Sequence, residues 1–338
     1  MAYRSPKKYE PEQPGLFSSS MLNEDDLRVP QDNLPSADDE SSCIDESDFY
    51  VASDNVEDPV FFISFGSGSS GNCSYVGDRR SGFLIDAGID GKKVEQTLAE
   101  HGISMDRVRG ICLTHDHGDH VRYVYSILRN HRHMKLYCTP KILNGMLRRH
   151  SLSRRIKDYH RAVYKEFDFS IGNFVITPFE VLHDGTDNCG FFINHGRANM
   201  AVATDLGRIT PRVEHYMSQA HFVVIESNYD LNMLLTGPYL DHLKARIRYD
   251  NGHLDNEDSA RFIAGIYGPH LRYVFLCHLS KDNNTPDIAL SAHRRALTAA
   301  HADIVVGDGT NEHLSDVQII ALPRYDATGM YVLRCPLS

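Results

Sequence analysis

The segment Thr114-His115-Asp116-His117-Gly118-Asp119-His120 directly follows a largely apolar run, Val108 to Leu113. A buried strand that empties into three imidazoles and two carboxylates constrains the fold strongly, because it must hold those groups together at one strand end. Imidazole nitrogen and carboxylate oxygen bind Zn²⁺ and similar ions, and a catalytic site leaves one coordination position open for water. On a loop, His115 and His117 can converge on one ion, and Asp119 and His120 can point toward a second. The plain alternative is a solvated His/Asp loop, and the apolar strand before it argues against that.

Four ligands from one loop do not close a two-metal site, so others must come from elsewhere. Three candidates share the same context: His183 follows Ile176 to Leu182, Asp205 follows Met200 to Thr204, and His278 follows Val274 to Cys277. A lone histidine at a strand end is usually structural. As a set at successive strand ends the three reinforce one another, since open α/β sheets place their ligands there.

The pattern along the chain supports such sheets. Strands are expected at Val60 to Phe65, Cys73 to Gly77, Phe83 to Asp86, Val108 to Thr114 and Lys135 to Cys138. Helices are expected over 91–101, 121–130 and 140–150, the first with Val94 and Leu98 on one face. Further strands fall near 174–181, 189–195, 199–203, 222–226 and 273–277, with helices near 211–219 and 256–267. Hairpins, then alternating strand and helix, then the same again suggest an α/β fold of two mixed β-sheets flanked by helices, an αβ/βα sandwich.

Composition divides the chain. Residues 1–58 hold 15 Asp+Glu against 4 Lys+Arg, whereas residues 59–338 hold 30 against 31. The first segment is rich in Ser, Asp, Glu, Asn and Pro and reads as a disordered acidic tail that contacts another protein or has no role beyond solvation. Residues 59–338 read as the catalytic domain. The seven cysteines show no C-x-x-C spacing, the first residues lack a signal-peptide apolar region, and no stretch approaches a bilayer span. These features point to a reducing, cytoplasmic setting without membrane partners.

Asp86, the H-x-H-x-D-H cluster, His183, Asp205 and His278 together resemble the five motifs of the metallo-β-lactamase fold. SSGNCSYVG (69–77), LIDAGIDGKKVE (84–95), ESNYD (226–230), GHLDNEDSARF (252–262) and CHLSKDNNTP (277–286) resemble its YycJ/WalJ branch. That branch is implicated in 5′→3′ exonuclease activity on DNA and is akin to the RNase Z and RNase J nucleases. The resemblance implies two divalent ions per chain. His115, His117 and His183 would bind the first, Asp119, His120 and His278 the second, with Asp205 bridging and Asp86 buttressing the histidine loop. A cation pair lowers the pKa of a bridging water and yields hydroxide at neutral pH. The nitrogen and oxygen donors suit Zn²⁺ first, with Mn²⁺ or Fe as alternatives. Asp119 would also orient the hydroxide, His253 would protonate the leaving 3′-oxygen, and Glu226 would fix the tautomer of His253. The long insertion of the β-CASP nucleases is not matched.

Gly66 to Gly71 formally match G-x-G-x-x-G, but a strand rather than a helix is expected next, so a dinucleotide fingerprint does not fit. Such a loop can still meet a phosphate, with Ser70 and Asn72 as candidates, or can be a tight hairpin. Basic residues gather at 148–161, including Arg148, Arg149, Arg154 and Arg155, with Tyr159 and Tyr164 interleaved. A smaller run is Lys244, Arg246 and Arg248. Beside a phosphodiesterase-type site these tracts favour nucleic-acid contact over a merely solvated face. Two functions follow: a metal-dependent exonuclease on DNA, or a hydrolase of this fold acting on a small thioester, lactone or cyclic nucleotide. A closed apolar pocket would favour the second.

Overall fold

A computed structural model describes residues 58–310 and 314–335. The expected acidic tail, save its last residue, lies outside them. The chain builds β1 (Val60–Gly66), β2 (Cys73–Gly77), β3 (Gly82–Ile85), α1 (Gly91–Glu100), β4 (Val108–Cys112), α2 (Gly118–Val121), α3 (Val124–Asn130), β5 (Lys135–Cys138), α4 (Pro140–Arg149) and β6 (His160–Ala162). The first sheet runs β15-β1-β2-β3-β4-β5-β6, where β15 (Tyr331–Leu333) returns from the far end of the chain to pair antiparallel with β1.

The second half repeats the plan. It comprises β7 (Phe169–Ile171), β8 (Phe174–Glu180), β9 (Cys189–His195), β10 (Ala198–Ala203), α5 (Pro211–Met217), β11 (Phe222–Glu226), α6 (Leu231–Thr236), α7 (Asp241–Arg248), α8 (Asn256–Ile266), β12 (Tyr273–Cys277), α9 (Pro286–Ala300), β13 (Val306–Gly307) and β14 (Val317–Ala321). Their sheet runs β13-β14-β12-β11-β10-β9-β8-β7. In each sheet antiparallel hairpins give way to parallel strands, as the order of elements predicts.

Period-two side-chain alternation explains why the second sheet is apolar on both faces. Phe222 and Val224 of β11, with Tyr273 and Phe275 of β12, join the core that also contains the first sheet. Val223, Ile225, Val274 and Leu276 join a second core with residues of α5, α8 and α9. Aromatic pairs knit the sheets together: Phe62 and Phe275 rings are 4.7 Å apart, and Phe83 and Phe174 meet edge-on at 5.5 Å. Three outer helices begin with the same Thr-Pro device. Thr139, Thr210 and Thr285 each accept the N–H three residues on, while a proline occupies the first helical turn.

Several elements escape the sequence reading. α6 buries only Leu234 and α7 only Ile247, so neither shows an apolar stripe. α9 and the short strands β6, β7, β13, β14 and β15 were likewise outside it; β15 depends on a pairing across almost the whole described chain. The expected helix over 121–130 is two: Arg122 and Tyr123 interrupt it, with the Tyr123 N–H turned to Ala87 O at 2.9 Å.

Candidate metal centre

The carboxyl ends of β3, β4, β8, β10, β11 and β12 converge on one site. Asp86 follows β3, the histidine segment follows β4, His183 follows β8, Asp205 follows β10, Glu226 ends β11 and His278 follows β12. Asp86 and His278 both hold left-handed backbone, at φ 61° and 53°. That conformation is uncommon outside glycine and tends to occur where surrounding structure enforces it. The segment expected as a loop is partly helical, since Gly118–Val121 forms a turn of helix opening at His117. This turn brings His120 Nδ1 within 2.7 Å of Asp86 Oδ2 and His120 Nε2 within 3.1 Å of Asp205 Oδ2. Gly88 makes room for it: a Cβ there would lie 1.6 Å from Asp119 O.

Among the described residues four donor groups result, linked through His115, His120, Asp205 and His278, and they include His115-His120-Asp205 and Asp205-Glu226-His253-His278. Ligand atoms of His115, His117 and His183 lie within 4.8 Å of one another, and so do those of Asp119, His120 and His278. Asp205 stands between them, its Oδ2 3.1 Å from His120 Nε2 and its Oδ1 3.6 Å from His183 Nε2. Asp119 Oδ2 is 3.6 Å from both His120 Nε2 and His278 Nε2.

The surrounding hydrogen bonds aim these rings. His120 Nδ1 donates to Asp86 Oδ2 at 2.7 Å, His183 Nδ1 to Gly252 O at 2.9 Å, and His278 Nδ1 to Glu226 Oε1 at 2.9 Å. With Nδ1 committed as donor, Nε2 is the nitrogen left facing inward in each ring, and binding of a cation there displaces any proton it carries. Asp86 also accepts the Thr114 N–H and hydroxyl, tying the loop to β3.

The donor set fits divalent ions on its own chemistry. His115 Nε2, His278 Nε2 and Asp205 Oδ2 are buried and lack hydrogen-bond partners, a costly arrangement unless something binds them. Burial, reinforced by neighbouring imidazoles, pushes His115, His117 and His183 down, so they stay neutral. Burial opposes ionisation of Asp119, yet His120 and His278 outweigh it and hold the carboxyl at about 2. Asp205 is likewise held ionised: burial opposes it, and His278 and His120 prevail. Burial disfavours charge on His120 and His278, but Asp205 and neighbouring carboxylates outweigh it and raise both. A cation would therefore displace a proton from each to meet the nitrogen and anionic oxygen donors that hard and borderline ions take.

Glu226 and His253 complete the site. His253 Nδ1 donates to Glu226 Oε1 at 2.7 Å, and Glu226 Oε2 accepts the N–H groups of Leu206 and Leu254 at 2.8 and 3.1 Å. Burial disfavours a charged His253, but Glu226 overcomes it and raises the pKa. Beside His253 opens a cavity of about 180 Å³ bounded by Ser69, Asn228, Tyr239, Leu243, Arg246 and Ser280 among others.

The phosphate candidates divide. Ser70 Oγ is buried without a partner near this loop. Asn72 has its side chain engaged: Oδ1 accepts Gly68 N at 2.7 Å, and Nδ2 donates to Gly68 O and Asp119 Oδ2, which braces the loop against Asp119. Arg148 and Arg149 are exposed at the end of α4, where Arg149 Nη1 stands 3.5 Å from Asp116 Oδ1. Arg154 and Arg155 are exposed one turn further on, opening a 3₁₀ turn.

Sequence reasoning missed residues whose roles are geometric. Asn228 Nδ2 bonds Glu226 Oε1 and His278 O, and Ser67 Oγ accepts the His278 N–H. Asp184, adjacent to His183, places Oδ1 3.3 Å from His117 Nε2. A carboxylate next to a candidate ligand histidine is the available signal. Asp116, though inside the histidine cluster, turns away and accepts Thr186 N and Oγ1 at 2.9 and 2.6 Å.

Comparison with known proteins agrees with this geometry. The β-lactamase superfamily domain family matches residues 82–279. The exodeoxyribonuclease YycJ of Bacillus anthracis is 31% identical over 231 residues, covering 68% of this chain and 86% of that protein. The exodeoxyribonuclease WalJ of Streptococcus pneumoniae is 32% identical over 241 residues, covering 71% and 88%. Zn²⁺-bound PqqB from Methylobacterium extorquens superposes with a TM-score of 0.56 over 80% of this chain and 99% of its own at 16% identity, a likeness of fold alone. Among the described residues no helix is long and apolar enough to cross a membrane. Family match, relatives and histidine-aspartate cluster agree: the chain is a hydrolase of the metallo-β-lactamase superfamily and belongs to its YycJ/WalJ branch.

Proposed function

We propose that this chain is a metal-dependent phosphodiesterase that removes nucleotides from DNA in the 5′→3′ direction. The observation that carries the reading is the shared contact at Glu226 Oε1, which takes Nδ1–H from both His253 and His278. One carboxylate thereby couples a histidine at the cavity to a histidine of the donor cluster. Two divalent ions, Zn²⁺ or alternatively Mn²⁺ or Fe, would be held by His115, His117, His183, Asp119, His120, His278 and Asp205. When bound they supply an activated water and neutralise charge on the scissile phosphate.

The chain's own groups do the rest. Asp119, ionised and partly exposed, accepts a hydrogen bond from the attacking water and orients it. His253, one-fifth exposed and raised in pKa by Glu226, carries a proton on Nε2 to the leaving 3′-oxygen while Nδ1 stays bonded to the carboxylate. Asp86 keeps His120 aimed. Ser70 and the arginines Arg148, Arg149, Arg154 and Arg155 are the proposed backbone contacts, which position a strand without reading its bases.

The named relatives support DNA as substrate, and the cavity beside His253 weighs against a small apolar ligand. It is smaller than the roughly 300–1,000 Å³ usual for small-molecule sites, and Ser69, Asn228, Arg246 and Ser280 make its wall polar. Digestion of 5′- and 3′-labelled single-stranded and duplex DNA and RNA, with added Mn²⁺ or Zn²⁺, tests the reading. Release of 5′ nucleotides from DNA is expected, with loss of turnover in Asp119→Ala. An unchanged rate in that variant would refute it.

A further inference from the structure

Two short segments meet beside the donor cluster. Ser67 Oγ accepts the His278 N–H at 2.9 Å, and the residues two further along each segment, Ser69 and Ser280, border the cavity beside His253. The residues in between, Gly68 and Leu279, both touch one side chain, that of Arg324. Arg324 Nη2 donates to Leu279 O, and a Cβ at Gly68 would stand 2.9 Å from Arg324 Nη1 and 3.2 Å from its Cγ.

Backbone pairing fixes this placement. Arg324 follows β14, which pairs parallel with β12, and the Leu322 N–H continues that pairing to Leu276 O at 2.8 Å. The Ser67 N–H then binds Pro323 O at 3.0 Å. A guanidinium carries five N–H donors and a permanent charge. Among the described residues Leu279 O is its one hydrogen-bond acceptor, the Tyr325 ring lies 5.9 Å from Cζ, and no carboxylate forms an ion pair with it. Arg324 is only partly exposed, and burial works against its charge. Asp282, outside ion-pairing distance, offsets that cost in part, and its Oδ2 is already taken by the Tyr239 hydroxyl at 2.9 Å.

We propose that Arg324 is a substrate-binding residue that takes a backbone phosphate of the DNA strand on its unbonded N–H groups, beside the cavity that Ser69 and Ser280 border. The inference deepens the phosphodiesterase reading above and rests on it for the identity of the anion. A planar guanidinium fork suits two phosphate oxygens at once. The Arg324 stem is packed over Gly68 and one N–H is tied to Leu279 O, so the head gives up little freedom on binding. Arg148, Arg149, Arg154 and Arg155 differ, since they are exposed and the strand itself must immobilise them.

The test uses the full chain loaded with Zn²⁺ and a single-stranded phosphorothioate oligonucleotide, which resists cleavage. Affinity is read by fluorescence anisotropy over a series of salt concentrations. Arg324→Gln keeps an N–H for Leu279 O and removes the charge. It is expected to weaken binding about tenfold or more, the usual worth of a hydrogen bond to a charged group. Its salt dependence is expected to be shallower by about 0.7, the share of one single-strand phosphate. Arg324→Lys is expected to restore the slope but recover affinity only in part, because an ammonium lacks the fork. Metal content is expected to be unchanged in both variants. Wild-type affinity in Arg324→Gln, weaker binding with the wild-type slope, or loss of metal would overturn the phosphate contact. Failure of the wild type to bind the oligonucleotide would overturn it as well. Absence of turnover on labelled DNA by a wild type that binds would instead remove the exonuclease reading, and the salt slopes would still decide the role of Arg324.

Discussion

Glu226 Oε1 lies 2.7 Å from His253 Nδ1 in a carboxylate that is completely buried. Its other oxygen is already occupied by the Leu206 and Leu254 N–H groups, so the group cannot rotate away from His253. Burial alone would favour the neutral acid, but His253 and His278 hold Glu226 ionised. An ionised carboxylate fixed on Nδ1 keeps His253 charged to higher pH than a free imidazole.

Replacing Glu226 by Gln removes that charge at nearly constant size. The pKa of His253 then falls, and the pH above which the proton donor is lost moves downward. A pH–rate profile is expected to show its alkaline limb displaced to lower pH, with kcat reduced. His253→Gln is expected to lower kcat about 10²–10⁴-fold, the usual contribution of a general acid, with metal content unchanged by elemental analysis. Loss of metal in His253→Gln would make it a ligand instead.

Asp86 is the acceptor on His120 Nδ1 and on Thr114. Asp86→Ala is expected to weaken metal binding about 10–100-fold, read by chelator competition. It also leaves the buried His120 and Thr114 donors unpaired, so denaturant unfolding of the metal-free protein is expected to show a loss of about 1–3 kcal/mol.

Gly88 faces Asp119 O so closely that a Cβ would stand 1.6 Å from it. Backbone on both sides is fixed, since Gly88 N bonds Asn72 O at 2.8 Å and Asn72 N bonds Asp119 O at 2.8 Å. Gly88→Ala is therefore expected to displace the Asp119–His120 turn, lowering both metal stoichiometry and thermal stability. Gly102→Ala, where nothing lies within 4 Å of the added Cβ but φ is 72°, controls for backbone strain alone.

His293 joins α8 and α9, donating from Nδ1 to Ala289 O at 2.9 Å and accepting at Nε2 from Ser259 Oγ at 3.1 Å. Burial pushes its pKa down from 6.5 to about 4. An unfolded imidazole takes a proton below about 6.5, while the folded one does not until about pH 4. Stability is thus fully present above the unfolded value and declines as pH falls through this window, by about 3 kcal/mol in all. Equilibrium unfolding of metal-loaded protein between pH 7 and 4 is expected to show this slope, and His293→Gln to flatten it.

Much of the fold is written in local pattern. The strand runs are apolar because the second sheet is covered on both faces, and the candidate ligand residues stand out because each follows such a run. A polar residue just past a buried strand is a signal that one-dimensional inspection can find, and His115, His117, Asp119, His120, His183, Asp205 and His278 all carry it. The Thr-Pro helix starts at 139, 210 and 285 are local in the same sense.

What tertiary structure decided is the use of side chains whose partners are distant. Asn72 reads as a phosphate donor in its Gly/Ser loop, and the approach of Asp119, 47 residues away, engages its side chain. Asp184 and Arg246 are unremarkable in sequence, one an acid beside a histidine and one a cation in a short basic run. They become a pair because α7 returns to the segment that follows β8, where Arg246 Nε donates to Asp184 Oδ2 across 62 residues. The sequence by itself determined which residues end up at strand ends, since periodicity and burial act within a few residues. Which nitrogen of each histidine faces inward, and which carboxylate holds it there, depends on hydrogen bonds between segments far apart in the chain, and only packing of the two sheets brings those segments within reach.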